Sequence, residues 1–185
     1  MSKRLFFALW PDAETREKCS AIASQLKHAG RPVHPDNLHV TLVFLGSIDE
    51  STETKLLDAM TAVSFAALSI KFDALSFWRR PRIICLTGTP ENEAVSSLYD
   101  QLNTIVASCG IPIDDRPYQA HITLLRKASR LPPLTFEPIV WKSESFCLVE
   151  SCSTPEGVVY RVLKTWHSQY DVAARLPAER SKTTD

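Results

Sequence analysis

His39-Val40-Thr41-Leu42 and His121-Ile122-Thr123-Leu124 are two copies of one pattern, His-apolar-Thr-apolar. In an extended strand alternate side chains share a face. His39 and Thr41 therefore point one way with Val40 and Leu42 behind them, and His121 and Thr123 do the same over Ile122 and Leu124. A single such tetrapeptide reads as an ordinary half-buried strand with an incidental histidine. Two copies in a chain with five histidines point to a repeated functional unit.

The surroundings of the two copies are alike. Residues 4–10 form a continuous apolar run suited to a central strand. Pro11-Asp12 opens a helix that Asp12 caps, and its buried stripe of Ile22 and Leu26 runs to Ala29-Gly30. Residues 37–45 form the first motif strand, ended by Gly46. A helix restarts near Asp49, with Leu56, Leu57, Met60 and Val63 at helical spacing. Strands follow over 68–77 and 82–88, joined by Trp78-Arg79-Arg80-Pro81. A helix opening at Thr89-Pro90-Glu91 then carries Val95, Leu98, Leu102, Ile105 and Val106 on one face and ends at Gly110. Residues 119–125 form the second motif strand, and strands over 136–150 and 157–165 finish the sheet.

That order predicts a diverged internal duplication. The expected fold is α+β and bilobal, related by a pseudo-two-fold axis. Each lobe is an antiparallel sheet with helices outside, and the cleft between lobes holds the site. Residues 1–174 form one bilobal domain, and 175–185 a flexible tail.

Composition narrows the function classes. The 185 residues are 44% hydrophobic, enough for a real core. Lys plus Arg and Asp plus Glu number 21 each, which argues against a broadly basic nucleic-acid coat and leaves room for a local basic cleft. The five cysteines match no zinc or redox spacing and suit a reducing cytosol. The apolar start at Leu5–Trp10 is too short for a membrane span. The expectation is a cytoplasmic monomer with no membrane attachment.

Two imidazoles, each with an unperturbed pKa of about 6.5, divide an acid–base task well. The neutral ring takes a proton from attacking water, and the protonated ring gives one to the departing oxygen. The Thr hydroxyls donate to the non-bridging oxygens of an anion held between them. In-line displacement at phosphorus needs base and acid on opposite sides, which pseudo-two-fold lobes provide. No cofactor and no metal enters this scheme.

On these residues the chain resembles the 2H phosphoesterase family, and within it the bacterial LigT-like group. Asn37-Leu38-His39-Val40-Thr41-Leu42-Val43-Phe44-Leu45-Gly46 is similar to that group's first motif, and His121-Ile122-Thr123-Leu124-Leu125-Arg126 to its second. Arg4-Leu5-Phe6-Phe7-Ala8-Leu9 and Gly157-Val158-Val159-Tyr160-Arg161-Val162-Leu163 resemble the group's two ends, so the likeness spans residues 3–167. It implies hydrolysis of a terminal 2′,3′-cyclic phosphate on RNA to a 2′-phosphomonoester, and by analogy 2′–5′ joining of RNA ends. The partners implied are RNA ends or nucleotides bearing a 2′,3′-cyclic phosphate. His39 is the implied proton donor and His121 the implied acceptor, with Thr41, Thr123 and Arg126 on phosphate. The group usually has Pro before its second His, where this chain has Ala120; the exchange removes a φ constraint but no chemical group.

Other residues carry two readings each. Strict alternation puts Arg126 on the face opposite His121, whereas phosphate contact needs a bulge or a strand end to turn it inward. Trp78-Arg79-Arg80 with Arg82 combines a stacking aromatic with cations, or is an exposed hairpin tip. Phe7 and Tyr118 are candidates to stack on a terminal base, or plain core. His28 suits a helix end, His34 a Pro-rich turn, and His167 a structural place. Two rival functions stay open: a non-catalytic module for RNA-end or nucleotide phosphates, and a two-histidine metal hydrolase, which lacks a third ligand at suitable spacing.

Overall fold

A computed structural model of the protein describes residues 2–155 and 157–169. Along this chain run β1 (Ser2–Leu9), α1 (Ala13–Gln25), β2 (Arg31–Pro32), β3 (Val40–Asp49), α2 (Glu50–Ala59), β4 (Leu68–Trp78), β5 (Ile83–Pro90), α3 (Glu93–Ser108), β6 (His121–Arg126), β7 (Ile139–Ser143), β8 (Ser145–Thr154) and β9 (Gly157–His167). Polar caps set two of the helix starts. Asp12 accepts from the N–H of Thr15 at 2.7 Å, and Asp49 from that of Thr52 at 2.8 Å, each satisfying a first-turn donor.

The strands form one antiparallel sheet in the order β7-β4-β5-β6-β3-β1-β8-β9, with β2 added beside β6. The motif strands β3 and β6 are neighbours at its centre. Outward from them the two sides match: β3-β1-β8-β9 forms one lobe and β6-β5-β4-β7 the other. The lobes are not the two halves of the chain. The C-terminal hairpin β8–β9 completes the lobe of β1 and β3, and the mid-chain hairpin β4–β5 flanks β6.

Most predicted strand ends shift by a few residues, and the region 136–150 is divided into β7 and β8; two shifts have a clear physical reason. β3 does not end at Gly46 but continues to Asp49. Gly46 has φ +74°, a left-handed value that favours glycine, beside a one-residue bulge at Leu45 that lets the strand turn and go on. α3 starts after Thr89-Pro90-Glu91, because Thr89 and Pro90 remain paired with Lys71 and Ile70. The predicted domain end at 174 and the tail over 175–185 lie outside the described residues.

One apolar core runs beneath both lobes. Cys19, Ile22 and Ala23 of α1 and Val95, Leu98, Leu102 and Val106 of α3 join Leu5, Phe7, Val40, Ile122 and Leu124 from the sheet. The other face of β1 carries a second, small cluster, Phe6, Ala8, Cys147 and Val149, under Trp10 and Tyr160. Both faces of β1 are therefore covered, and its sequence reads as a continuous apolar run rather than an alternation.

Candidate active site

Val40 and Ile122, the second residues of the two motifs, pair across the antiparallel β3–β6 junction. Both are fully buried. Carried one residue to either side, this register sets His39 towards Thr123 and Thr41 towards His121. The two imidazoles are then diagonal neighbours, a relation that spans roughly 7–8 Å in a regular sheet. All four side chains line one cleft of about 430 Å³.

Each imidazole is held by the same local bond. Nδ1 of His39 lies 2.8 Å from the carbonyl of Asn37, and Nδ1 of His121 lies 2.9 Å from that of Gln119. A carbonyl only accepts, so Nδ1 carries the proton in both rings. That leaves Nε2 of each ring able to accept a proton when the ring is neutral and to donate one when it is charged.

The surroundings break the symmetry. His39 sits among Trp10, Phe6 and Tyr160, with ring centroids 5.6, 5.1 and 4.9 Å away. Burial pushes its pKa down to about 4 against the opposing pull of the Asn37 carbonyl, and the charges of Arg126 and His121 lower it further. His121 has Trp78 at 4.5 Å, and burial lowers its pKa as well.

Bulges finish the cleft. In the β5–β6 pairing Ile84 faces Leu125 and Cys85 faces Thr123, leaving Leu124 as an extra residue. Leu124 and Leu125 are both buried, and the next side chain, Arg126, returns to the face of Thr123 and lines the cleft. β3 repeats the device. Phe7 faces Val43 and Ala8 faces Thr41, which leaves Leu42 extra and brings Phe44 into the cleft. Phe44 is thus the counterpart of Arg126 in the other lobe.

A family model described as LigT like Phosphoesterase matches residues 9–85. The RNA 2′,3′-cyclic phosphodiesterase of Escherichia coli is 33% identical over 171 residues, covering 89% of this chain and 96% of that protein. This chain belongs to the LigT-like phosphoesterase family. The RNA 2′,3′-cyclic phosphodiesterase of Thermus thermophilus is 32% identical over 184 residues, 87% of this chain and 88% of the relative. The crystal structure of E. coli LigT in apo form matches with a TM-score of 0.80 at 31% identity, covering 90% of this chain and 98% of that one.

Not every predicted residue of this LigT-like chain reaches the cleft. Phe7 does not: it is fully buried, edge-on to Phe146 and Trp166 on the core face of β1. Its neighbour Phe6 takes the cleft face instead, because adjacent strand residues point to opposite sides. Tyr118 lines a groove that adjoins the cleft, stacked on Tyr99 with its hydroxyl 3.4 Å from the Thr41 carbonyl. In the hairpin cluster, Trp78 and Arg80 line the cleft, Arg79 is exposed, and Arg82 turns away to donate to the Ala128 carbonyl at 3.2 Å. His28 and His167 are exposed outside it; His34 accepts from the N–H of Asp36 at 3.3 Å.

Arg4, Phe6, Trp10, Phe44 and Tyr160 are the residues that motif reading missed. Arg4 and Phe6 alternate along β1 and Trp10 follows in phase just past its end, a signal hidden by the apolar residues between them.

Proposed function

We propose that this protein hydrolyses the terminal 2′,3′-cyclic phosphate of RNA to a 2′-phosphomonoester, without a metal ion. The observation that carries this reading is the single cleft lined by both His-Thr pairs and Arg126. Relatives spanning nearly the whole chain are named RNA 2′,3′-cyclic phosphodiesterase. E. coli LigT, matching with a TM-score of 0.80, has been crystallised with 3′-AMP.

In the proposed step, Nε2 of His121 takes a proton from water as the water oxygen bonds to phosphorus. The P–O3′ bond breaks on the opposite side, and Nε2 of His39 delivers a proton to the departing 3′ oxygen. The product is a 2′-phosphomonoester with a free 3′-hydroxyl. Thr41 and Thr123 donate to the non-bridging oxygens, and the Arg126 guanidinium balances their charge. A 5′-hydroxyl in place of water yields a 2′–5′ linkage by the same transfers. The low intrinsic pKa of His39 makes its charged form a strong acid, which suits a poor leaving group. The negative charge of bound phosphate favours the proton there. One chain supplies both pairs, so the reading needs no more than a monomer. It places the protein with RNA in the cytoplasm; no helix among the described residues is long and apolar enough to cross a membrane.

Incubation with a 2′,3′-cyclic-phosphate oligonucleotide in EDTA tests the proposal, with the product identified as 2′- or 3′-monoester. Complete conversion to the 2′-monoester is expected. A 3′-monoester, or turnover that EDTA abolishes, sinks the mechanism; tight binding with no turnover supports the binding-module alternative.

A further inference from the structure

The two carbonyls that hold the imidazoles lie outside the strands. Asn37 ends a short turn ahead of β3, and Gln119 belongs to the connection ahead of β6. No ladder aligns a carbonyl in such a place, and the ring it holds turns with it. Both carbonyls belong to residues with amide side chains, and both amides are bonded. Nδ2 of Asn37 donates to the Val158 carbonyl at 3.2 Å, and Nε2 of Gln119 to the Gly88 carbonyl at 3.0 Å. In each motif the residue two positions before the histidine thus offers its backbone oxygen to the ring and anchors its own side chain elsewhere. Each carbonyl also raises the pKa of its ring against the pull of burial.

The anchors are matched. Val158 lies at the start of β9, the strand of Tyr160, whose ring is 4.9 Å from that of His39. Gly88 lies in β5, the hairpin partner of β4, and Trp78 of β4 is 4.5 Å from the His121 ring. Each amide therefore ties its histidine's tether to the hairpin that supplies an aromatic neighbour of that ring. The two sides differ in one respect. The Asn37 N–H donates to the His34 carbonyl at 2.8 Å within its turn, a second restraint, so the Gln119 side depends more on its amide. The hydrogen bond at one ring nitrogen decides which nitrogen carries the proton of a neutral imidazole. A displaced carbonyl frees Nδ1–H, lets the proton move to Nε2, and removes the lone pair with which the base accepts. The acid relies on the same bond to keep Nε2 as the nitrogen that gives up its proton.

We propose that Gln119 and Asn37 are positioning residues, whose side-chain amides fix the carbonyls that lock Nδ1–H of His121 and His39 and so keep Nε2 of each ring free for proton transfer. This rests on the hydrolase reading above and adds two residues that act through the histidines. Substrate binding is left to other groups, so the effect falls on kcat and not on KM.

Gln119→Met and Asn37→Leu test this by removing the amides at nearly constant shape and charge. Asn37 is half-buried and Gln119 exposed, so neither change opens the core. Gln101→Met is the control: its Nε2 makes the same kind of bond, to the Ser64 carbonyl at 3.0 Å, on α3 and away from the cleft. Nitrogen–proton NMR correlation spectra of the neutral rings read the tautomer in the intact protein and each variant. The wild type should show Nδ1–H in both rings. Gln119→Met should shift His121 towards Nε2–H and leave His39 as it was. It should also lower kcat on a 2′,3′-cyclic nucleotide by about 3- to 10-fold, as for one lost hydrogen bond, with KM unchanged. Asn37→Leu should act on His39 in the same pattern and less strongly, and Gln101→Met should move neither ring. Unchanged tautomers in both cleft variants overturn the proposal, whether or not kcat falls. So does a shift of both rings together, or any shift in Gln101→Met, since either marks general loosening. If the wild type turns over no cyclic phosphate, the hydrolase reading fails by itself, and the tautomers still decide the positioning role.

Discussion

Trp10 lies flat against His39, with planes within 7° and ring centroids 5.6 Å apart. The indole shields one imidazole of an otherwise symmetric pair. Two identical His-Thr units thereby acquire different proton affinities, and an acid and a base can differ in role although they share a motif.

The pH dependence follows from the two lowered pKa values. Productive protonation needs one proton on the pair. Below the lower pKa both rings are charged and the base is lost; above the upper one both are neutral and the acid is lost. With His39 at about 4 and His121 also below its ordinary value, kcat/KM should be bell-shaped with its maximum on the acid side of neutrality. Bound phosphate raises the His39 pKa, so the alkaline limb of kcat should lie at higher pH than that of kcat/KM. Initial rates from pH 4 to 9 decide it; a kcat/KM plateau extending past pH 8 contradicts the assignment.

Trp10→Ala should admit water to His39 and let its pKa rise towards the ordinary imidazole range, because burial is the leading cause of the depression. Titration of the ring protons by NMR reads this directly. The His121 titration should move far less.

In the proposed mechanism Arg126→Ala removes a charge-assisted donor to phosphate, worth about 1.5–3 kcal/mol, and so should cost roughly 10- to 100-fold in kcat/KM. The same change should raise the His39 pKa, since the Arg126 charge helps to lower it. Arg126→Lys keeps the charge but loses the fork, and should recover only part of the loss.

His39→Ala and His121→Ala should each lower kcat by about 10²–10⁴-fold while leaving the circular dichroism spectrum intact. Thr41→Val and Thr123→Val keep the β-branched shape that the strand accepts and remove only the hydroxyl. About 10²-fold in kcat is expected for each, as for loss of a positioned oxyanion donor.

Phe7→Ala should act on stability and not on chemistry. The ring is fully buried against Phe146 and Trp166, and its truncation should cost about 3–5 kcal/mol in urea unfolding. Turnover per folded molecule should persist.

Much of the site was legible because strand periodicity is a local property. His39 with Thr41, and His121 with Thr123, share faces whatever the fold around them. The helices were legible from Asp12 as a cap, from the restart near Asp49 and from the spacing of Val95, Leu98, Leu102 and Val106. Arg126 was not, because a bulge depends on how the neighbouring strand pairs: Leu124 is extra only with respect to Ile84 and Cys85 of β5. The choice between Phe6 and Phe7 was hidden for a related reason, since both faces of β1 are covered and no alternation marks which faces the cleft.

From the amino-acid order alone came the duplicated imidazole–hydroxyl units, the chemistry open to them and an α+β chain with two lobes. Only the tertiary structure decided that Val40 pairs with Ile122, that the C-terminal hairpin joins the N-terminal lobe, and that His39 receives the aromatic cover. The physical reason is range: side-chain alternation and capping act within a few residues, whereas register, bulges and burial are set by strands far apart in the chain.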